Sequence, residues 1–503
     1  MEMFDLLAQR AQVSPERPAL EDLDDGTRYS YRELNAQAAR FSAAASRRWH
    51  LKPGDRVAYL GHSRAEFFVM LFGCAKAGLI LVPLNWRLAL PELQTLMADA
   101  EPSALIYGPE FKDTARPLIE AGITGISLDS ETGNDETNYH KALASVLPDL
   151  TPHAPRSADA PWYLLYTSGT TGRPKGVIQT YRMMEANYFN IGLPVGLNQE
   201  DVLLNVLPLF HTGGINLYSS AVLMAGGCVL VSRTFDVEQA LSVLAERATI
   251  FFGVPAIYQA FLESPAFNPA SLKRIRSWGC GGAALPAHVA KQYASHDILI
   301  RTGMGMTETG PTVFLLDEEN VIEKTGSVGR PQLLAEVRVV DTQGRDVANG
   351  EAGELLVRGP GITPGYWNRP DATAESISEG GWFHSGDVAR CDADGHYYIV
   401  DRWKDMFISG GENVFPAEVE KVLHEHPVIE DVAVIGVPDE RWGEVGKACF
   451  TVASDQQPPS SEDLTIFCRE RLAGYKVPKT FEHLEQLPRN ALGKITKQTL
   501  RNL

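Results

Sequence analysis

Cysteine is sparse and scattered in this chain. The six residues Cys74, Cys228, Cys280, Cys391, Cys449 and Cys468 contain no C-x-x-C pair, which argues against a zinc site or a disulfide framework and for a reducing compartment. Long apolar runs are missing too: no stretch reaches the roughly 18 residues that a spanning helix needs. A basic face is also lacking. With 46 Lys and Arg against 63 Asp and Glu, a net charge of −17 and no basic cluster, the chain is a poor match for nucleic acid or anionic lipid. Its first residues, Met1 to Leu7, are acidic and helical rather than a basic leader with an apolar core, so a cytoplasmic location is expected. No internal repeat is present.

What is there is an ordinary globular composition, 44% apolar over 503 residues, which suits two or three packing units rather than one core. Apolar strands alternate with amphipathic helices. Residues 56–61 read as a strand, 65–77 as a helix and 79–84 as the next strand; strands at 202–207, 228–232 and 250–254 follow, with a helix at 237–247. That alternation predicts an α/β fold whose mainly parallel sheets are covered by helices. From 326 to 359 the pattern changes to short strands with Gly and Asp turns, which predicts a small antiparallel barrel or sheet. Residues 129–161 are polar and broken by proline, and are expected to form a surface connection. The last hundred or so residues carry their own α+β pattern, with helices at 417–424 and 461–471 and a strand at 428–436, enough for a separate lobe.

The densest chemical signal runs from Tyr166 to Gly176. Thr167, Ser168, Gly169, Thr170, Thr171 and Lys175 place small hydroxyls, glycine backbone and one ammonium in a single turn after an apolar strand at 162–166, as a polyphosphate cradle requires. A surface Gly/Ser/Thr loop has the same composition. The usual nucleotide loop continues from its lysine into Ser or Thr and a helix; here Pro174 and Gly176 flank Lys175, which argues against that class.

The pattern instead resembles the phosphate loop of the adenylate-forming superfamily, which includes acyl- and aryl-CoA synthetases, luciferases and peptide-synthetase adenylation domains. Further stretches carry the same resemblance in the family's order. Gly303-Met304-Gly305-Met306-Thr307-Glu308-Thr309 resembles the segment whose threonine meets the α-phosphate and whose glutamate holds magnesium. Trp382 to Asp387 resembles the motif whose aspartate accepts both ribose hydroxyls, with Arg402 implied as a second ribose contact and Lys404 as the hinge. Pro488 to Lys494 resembles the loop carrying the adenylation lysine, Lys494. Taken singly, Gly386-Asp387 reads as a plain turn and Lys494 as a solvated charge.

The resemblance implies a large N-terminal domain over 1–401 with two helix-covered sheets and a small antiparallel subdomain, a hinge at 402–404, and a mobile α+β lobe over 405–503. It implies an active site assembled from both parts, since Lys494 lies far from the phosphate loop in sequence. It also implies an adenine site at Gly281, Gly282, Ala283, Thr302, Gly303 and Met304, a methionine standing where many relatives place tyrosine. An acyl pocket is implied at Phe210, His211, Gly213, Gly214 and Gly279, with His211 orienting the carboxylate. Coenzyme A is implied at Gly410 and Gly411 for its pantetheine arm, and at Arg87, Trp442 and Lys447 for its nucleotide end.

The expected activity is therefore an AMP-forming acid–thiol ligase using ATP, Mg2+ and coenzyme A on a small carboxylic acid. An aromatic acid of the hydroxycinnamate type is favoured, with a medium- or long-chain fatty acid nearly level. A stand-alone adenylation enzyme that loads a carrier protein shares every ATP motif. A non-catalytic nucleotide sensor would be expected to lack Glu308 or Lys494, and both are present. No nucleic acid partner is expected, and a homodimer is allowed for.

Overall fold

The computed structural model describes residues 2–120, 122–128, 137–167, 174–402, 405–409, 412–439, 442–453, 456–489 and 494–502. These gather into two compact units, Met1–Val337 with Val357–Phe383, and Arg338–Leu356 with His384–Leu503.

Two sheets organise the first unit. In the six-stranded sheet the order is Lys175–Thr180, Pro161–Thr167, Ile80–Pro83, Arg56–Leu60, Ala104–Tyr107 and Thr124–Ser127. All neighbours are parallel except the first pair, a hairpin in which Lys175 faces Thr167. The helix Ala65–Ala77 forms where expected and stops at Gly78, whose φ of 72° suits a residue without a Cβ. Its side chains are buried on nearly every face, as a near-continuous apolar sequence demands.

The nine-stranded sheet is parallel from Pro18–Asp22 through Cys228–Val231, Val202–Asn205, Ile250–Gly253, Ser277–Cys280 and Ile300–Met304, with antiparallel strands at both edges. These strands read as short β-branched and aromatic runs, and their burial on both faces explains why little polar alternation is seen. The mixed α/β class anticipated from the alternation of elements is the fold found.

Two segments differ from expectation. Residues 137–161 are not a plain connection, because Asn138 caps a helix Tyr139–Ala144 by accepting from Lys141 N–H at 2.9 Å. Tyr139 is fully buried, stacked 6.3 Å from Trp49, so apolar burial outweighs the polar average of the segment; residues 129–136 lie outside the described residues. The second is a π-helix, Gly213–Ser220, where the sequence shows only an apolar stretch. Its wide turn is held by Ser219 Oγ donating to Gly214 O at 2.8 Å and Ser220 Oγ donating to Ile215 O at 2.9 Å, both five residues back.

A four-stranded sheet is ordered Glu336–Val340, Gly353–Arg358, Phe383–Cys391 and Tyr397–Arg402, and the second unit holds a five-stranded sheet built on the antiparallel pair Ile429–Asp439 and Gly443–Val452. The helices Pro416–Leu423 and Ser461–Arg469 bury Val419, Leu423, Leu464 and Cys468 against that pair.

Candidate active site

Parallel sheets expose loop backbone at the carboxyl ends of their strands, and ligands of α/β folds gather there. The candidate adenine residues lie at such ends. Gly281 and Gly282 follow the strand Ser277–Cys280, and Thr302, Gly303 and Met304 close the neighbouring strand. Gly282 has a φ of 79°, which favours glycine, and Ala283 beside it is exposed. Thr302 Oγ1 donates to Ser327 O at 2.7 Å.

Of the phosphate loop, Thr167 and Lys175 terminate the two arms of the edge hairpin, while Ser168, Gly169, Thr170 and Thr171 lie outside the described residues. Lys175 Nζ stands 4.9 Å from the ring centre of Tyr366. The same tyrosine donates its hydroxyl to Glu308 Oε1 at 3.1 Å. Glu308 sits in a short 3-10 turn, Thr307–Thr309, fixed from several sides. Gln179 Nε2 donates to Thr307 O at 2.8 Å, Thr363 N–H donates to Glu308 O at 2.9 Å, and Thr309 Oγ1 accepts from Met306 N–H at 2.9 Å. Candidate phosphate and metal groups are thereby joined through Tyr366, by a cation–π contact on one side and a hydrogen bond on the other.

Residues 361–367 make this junction, and motif reading passed over them. A signal was present in Gly365-Tyr366-Trp367, an aromatic pair placed after a glycine with a φ of 145°. Gln179 also went unnoticed, although a fully buried glutamine in a strand has to meet polar backbone.

Of the candidate acyl residues, Phe210, His211, Gly213 and Gly214 follow the strand Val202–Asn205, and Gly279 lies within Ser277–Cys280. Phe210 is buried, its ring 5.3 Å from His211 and 6.4 Å from Trp86. Gly214 abuts the Pro208 carbonyl so closely that a Cβ would collide with it, whereas a Cβ on Gly213 would meet only Leu207 at 3.4 Å. Gly279 faces aromatic rings: an added Cβ would lie 2.8 Å from Phe252 and 3.2 Å from the Tyr218 hydroxyl. Phe252 and Tyr218 are themselves 5.5 Å apart. Arg87 is exposed and lies over Trp86 at 4.9 Å and Phe210 at 5.8 Å.

In the second unit, Asp387 and Arg402 are cross-strand partners, with Arg402 Nε 2.7 Å from Asp387 Oδ1. Lys494 is in electrostatic range of both. Partial desolvation, and then the Arg402 charge, hold its amine below the ordinary lysine range, while Asp387 pulls the other way. Trp442 is 41% exposed, and Lys447 pairs with Glu482 at 2.6 Å. Lys404, Gly410 and Gly411 lie outside the described residues.

Glu308 offers a hard carboxylate oxygen of the kind Mg2+ takes. A single carboxylate fits an ion whose remaining ligands are phosphate oxygens and water. Asp387, with its countercharge at hand, fits paired ribose hydroxyls as donors.

Candidate phosphate-binding residues at a hairpin, and glycine-rich turns at the carboxyl ends of a parallel sheet, define a nucleotide-dependent α/β enzyme. The AMP-binding enzyme profile matches residues 7–367 and the AMP-binding enzyme C-terminal domain matches residues 418–494, and the chain belongs to this adenylate-forming family. It is 42% identical to a feruloyl-CoA synthase of Amycolatopsis sp, covering 98% of this chain and 97% of the relative. It is 36% identical to a long-chain-fatty-acid–CoA ligase of Mycobacterium tuberculosis, covering 99% and 97%. The solved o-succinylbenzoate coenzyme A synthetase of Bacillus subtilis, in complex with ATP and magnesium ion, superposes with a TM-score of 0.87 at 32% identity, covering 100% of this chain and 99% of that one. The protein is an acid–thiol ligase of the acyl- or aryl-CoA type, and its cosubstrates and cofactor are ATP, coenzyme A and Mg2+. Among the described residues, no helix is long and apolar enough to cross a membrane.

Proposed function

We propose that this ligase activates an aromatic acid of the hydroxycinnamate class. The observation that carries the reading is the aromatic pair packed against Gly279, Phe252 and Tyr218, whose rings lie 5.5 Å apart and close the space beside that glycine, a surface of the kind an aromatic acid would meet. The likeness to a feruloyl-CoA synthase over nearly the whole chain supports the same substrate class.

In the first step a carboxylate oxygen attacks the α-phosphorus of ATP, the bond to the β-phosphate oxygen breaks, and pyrophosphate leaves an acyl adenylate. In the second the thiol of coenzyme A, losing its proton, attacks the acyl carbon and AMP departs with both electrons of the C–O bond. The first step brings anions together, so cationic groups aimed at the phosphates stabilise its transition state. Lys175 would hold the phosphates, Thr307 would donate to the α-phosphate, and Lys494 would neutralise charge building there. Glu308 would be among the ligands of Mg2+, which would supply Lewis-acid charge neutralisation. Asp387 and Arg402 would fix the ribose, and His211 would orient the acid. Gly410, Gly411, Trp442 and Arg87 would receive coenzyme A.

A fatty acid is the second reading, favoured by the likeness to a long-chain-fatty-acid–CoA ligase. A panel of hydroxycinnamic, benzoic and C6 to C18 straight-chain acids, assayed for coenzyme A-dependent pyrophosphate release, separates the two. The aromatic reading predicts the highest kcat/KM for a hydroxycinnamate; a straight-chain acid above every aromatic one overturns it.

A further inference from the structure

Lys175 and Glu308 stand on different elements, yet one side chain touches both. The segment 361–367 crosses the strand Lys175–Thr180: Val177 and Tyr366 form an antiparallel bridge, Ile178 N–H donates to Gly365 O at 3.1 Å, and Trp367 N–H donates to Gly176 O at 2.7 Å. The same segment reaches the 3-10 turn, where Thr363 N–H donates to Glu308 O. Backbone contacts on two elements therefore fix where Tyr366 stands. Its ring carries the Lys175 ammonium at 4.9 Å, and its hydroxyl donates to Glu308 Oε1 at 3.1 Å. The Tyr366 side chain is buried.

A carboxylate that binds a metal by one oxygen is oriented by whatever holds the other. A fixed donor at Oε1 selects one rotamer of Glu308 and one approach for the ion. An ammonium over an aromatic face is attracted without being neutralised, and so stays available to phosphate. We propose that Tyr366 is a positioning residue for metal-dependent adenylation, setting the Glu308 carboxylate through its hydroxyl and the Lys175 ammonium through its ring before nucleotide arrives. The proposal rests on the reading of Glu308 as the magnesium carboxylate.

Tyr366→Phe keeps the ring under Lys175 and removes only the donor. The full-length variant is compared with wild type, Glu308→Gln and the double variant in two measurements: half-saturating Mg2+ in acid-dependent ATP–pyrophosphate exchange, and Mn2+ binding to protein with a non-hydrolysable ATP analogue, read by electron paramagnetic resonance. Tyr366→Phe is expected to weaken both metal readouts about tenfold, as loss of an outer-shell partner does, with its thermal midpoint little changed. Adding Tyr366→Phe to Glu308→Gln is expected to change nothing further, because the hydroxyl acts through the carboxylate. An unaltered metal response in folded Tyr366→Phe, beside a clear response in Glu308→Gln, overturns the role of Tyr366 alone. A full Tyr366→Phe effect in the Glu308→Gln background overturns it as well. An unaltered metal response in Glu308→Gln removes the magnesium assignment and the positioning role with it.

Discussion

Arg402 Nε lies 2.7 Å from Asp387 Oδ1, and the two residues face each other across antiparallel strands. Asp387 is only 4% exposed, and its own N–H is received by Ser385 Oγ at 3.0 Å, so the carboxylate is held in place with its countercharge beside it. Such an acceptor suits a pair of ribose hydroxyls. Asp387→Asn keeps the volume, removes the charge and leaves Arg402 without its anion. A hydrogen bond to a charged group contributes about 1.5–3 kcal/mol, so KM for ATP is expected to rise roughly 10- to 100-fold, with kcat changed less. Steady-state ATP titration checks this, and an unchanged KM would take the ribose from Asp387.

The same pair sets a pH dependence. The Lys494 amine is held below the ordinary lysine range by partial desolvation and by Arg402, so its charge is complete at low pH and is lost, as pH rises, earlier than an ordinary lysine would lose it. Adenylation should therefore have an alkaline limb, high below the lysine pKa and falling through it. Asp387 pulls that pKa up. Asp387→Asn is then expected to move the limb to lower pH. A kcat profile for ATP–pyrophosphate exchange at saturating ATP reads the shift, and a limb moving upward would contradict the assignment.

Gly279 offers a test of the acyl wall. In Gly279→Ala the new Cβ must displace Phe252 from 2.8 Å and the Tyr218 hydroxyl from 3.2 Å. Tyr258 donates to the Gly279 carbonyl at 2.7 Å, which limits how far the backbone can yield. Overpacking of this kind costs about 1–3 kcal/mol, and displaced rings would reshape the proposed acyl wall. The variant is expected to lose most kcat/KM for hydroxycinnamates and least for small acids such as acetate. Equal losses across the panel would mean that Gly279 does not face the acid.

Much of the fold was legible because its signals are local. The helix Ala65–Ala77 and the strands at 202, 228 and 250 announce themselves by apolar period, and glycine or hydroxyl clusters mark the loops after them. The roles of Tyr366 and Gln179 were not legible, since one depends on residues 361–367 pairing with the strand that begins at Lys175 and the other on a reach to the Thr307 carbonyl. Local composition carries no trace of a pairing so distant in sequence. The π-helix at Gly213–Ser220 escaped for a related reason. Its extra residue per turn is decided by two serine hydroxyls reaching back five positions and by the tight approach of Gly214 to Pro208, neither of which alters the apolar period.

Lys494→Ala divides the two half-reactions. In the first, negative charge gathers at the α-phosphate, and a preorganised cation there contributes about 3–4 kcal/mol to the transition state, or roughly 10²- to 10³-fold in rate. In the second, the leaving group is AMP and the nucleophile a thiol, so this ammonium has no equivalent charge to neutralise. ATP–pyrophosphate exchange in Lys494→Ala is therefore expected to fall by that factor, while thioester formation from a supplied acyl adenylate and coenzyme A stays within a few-fold of wild type. Lys404→Pro tests the hinge separately: stiffening that position should slow the second step more than the first. If Lys494→Ala lowered both half-reactions equally, the lysine would be acting on the fold or on a shared subsite, and the division of labour along the chain would be wrong.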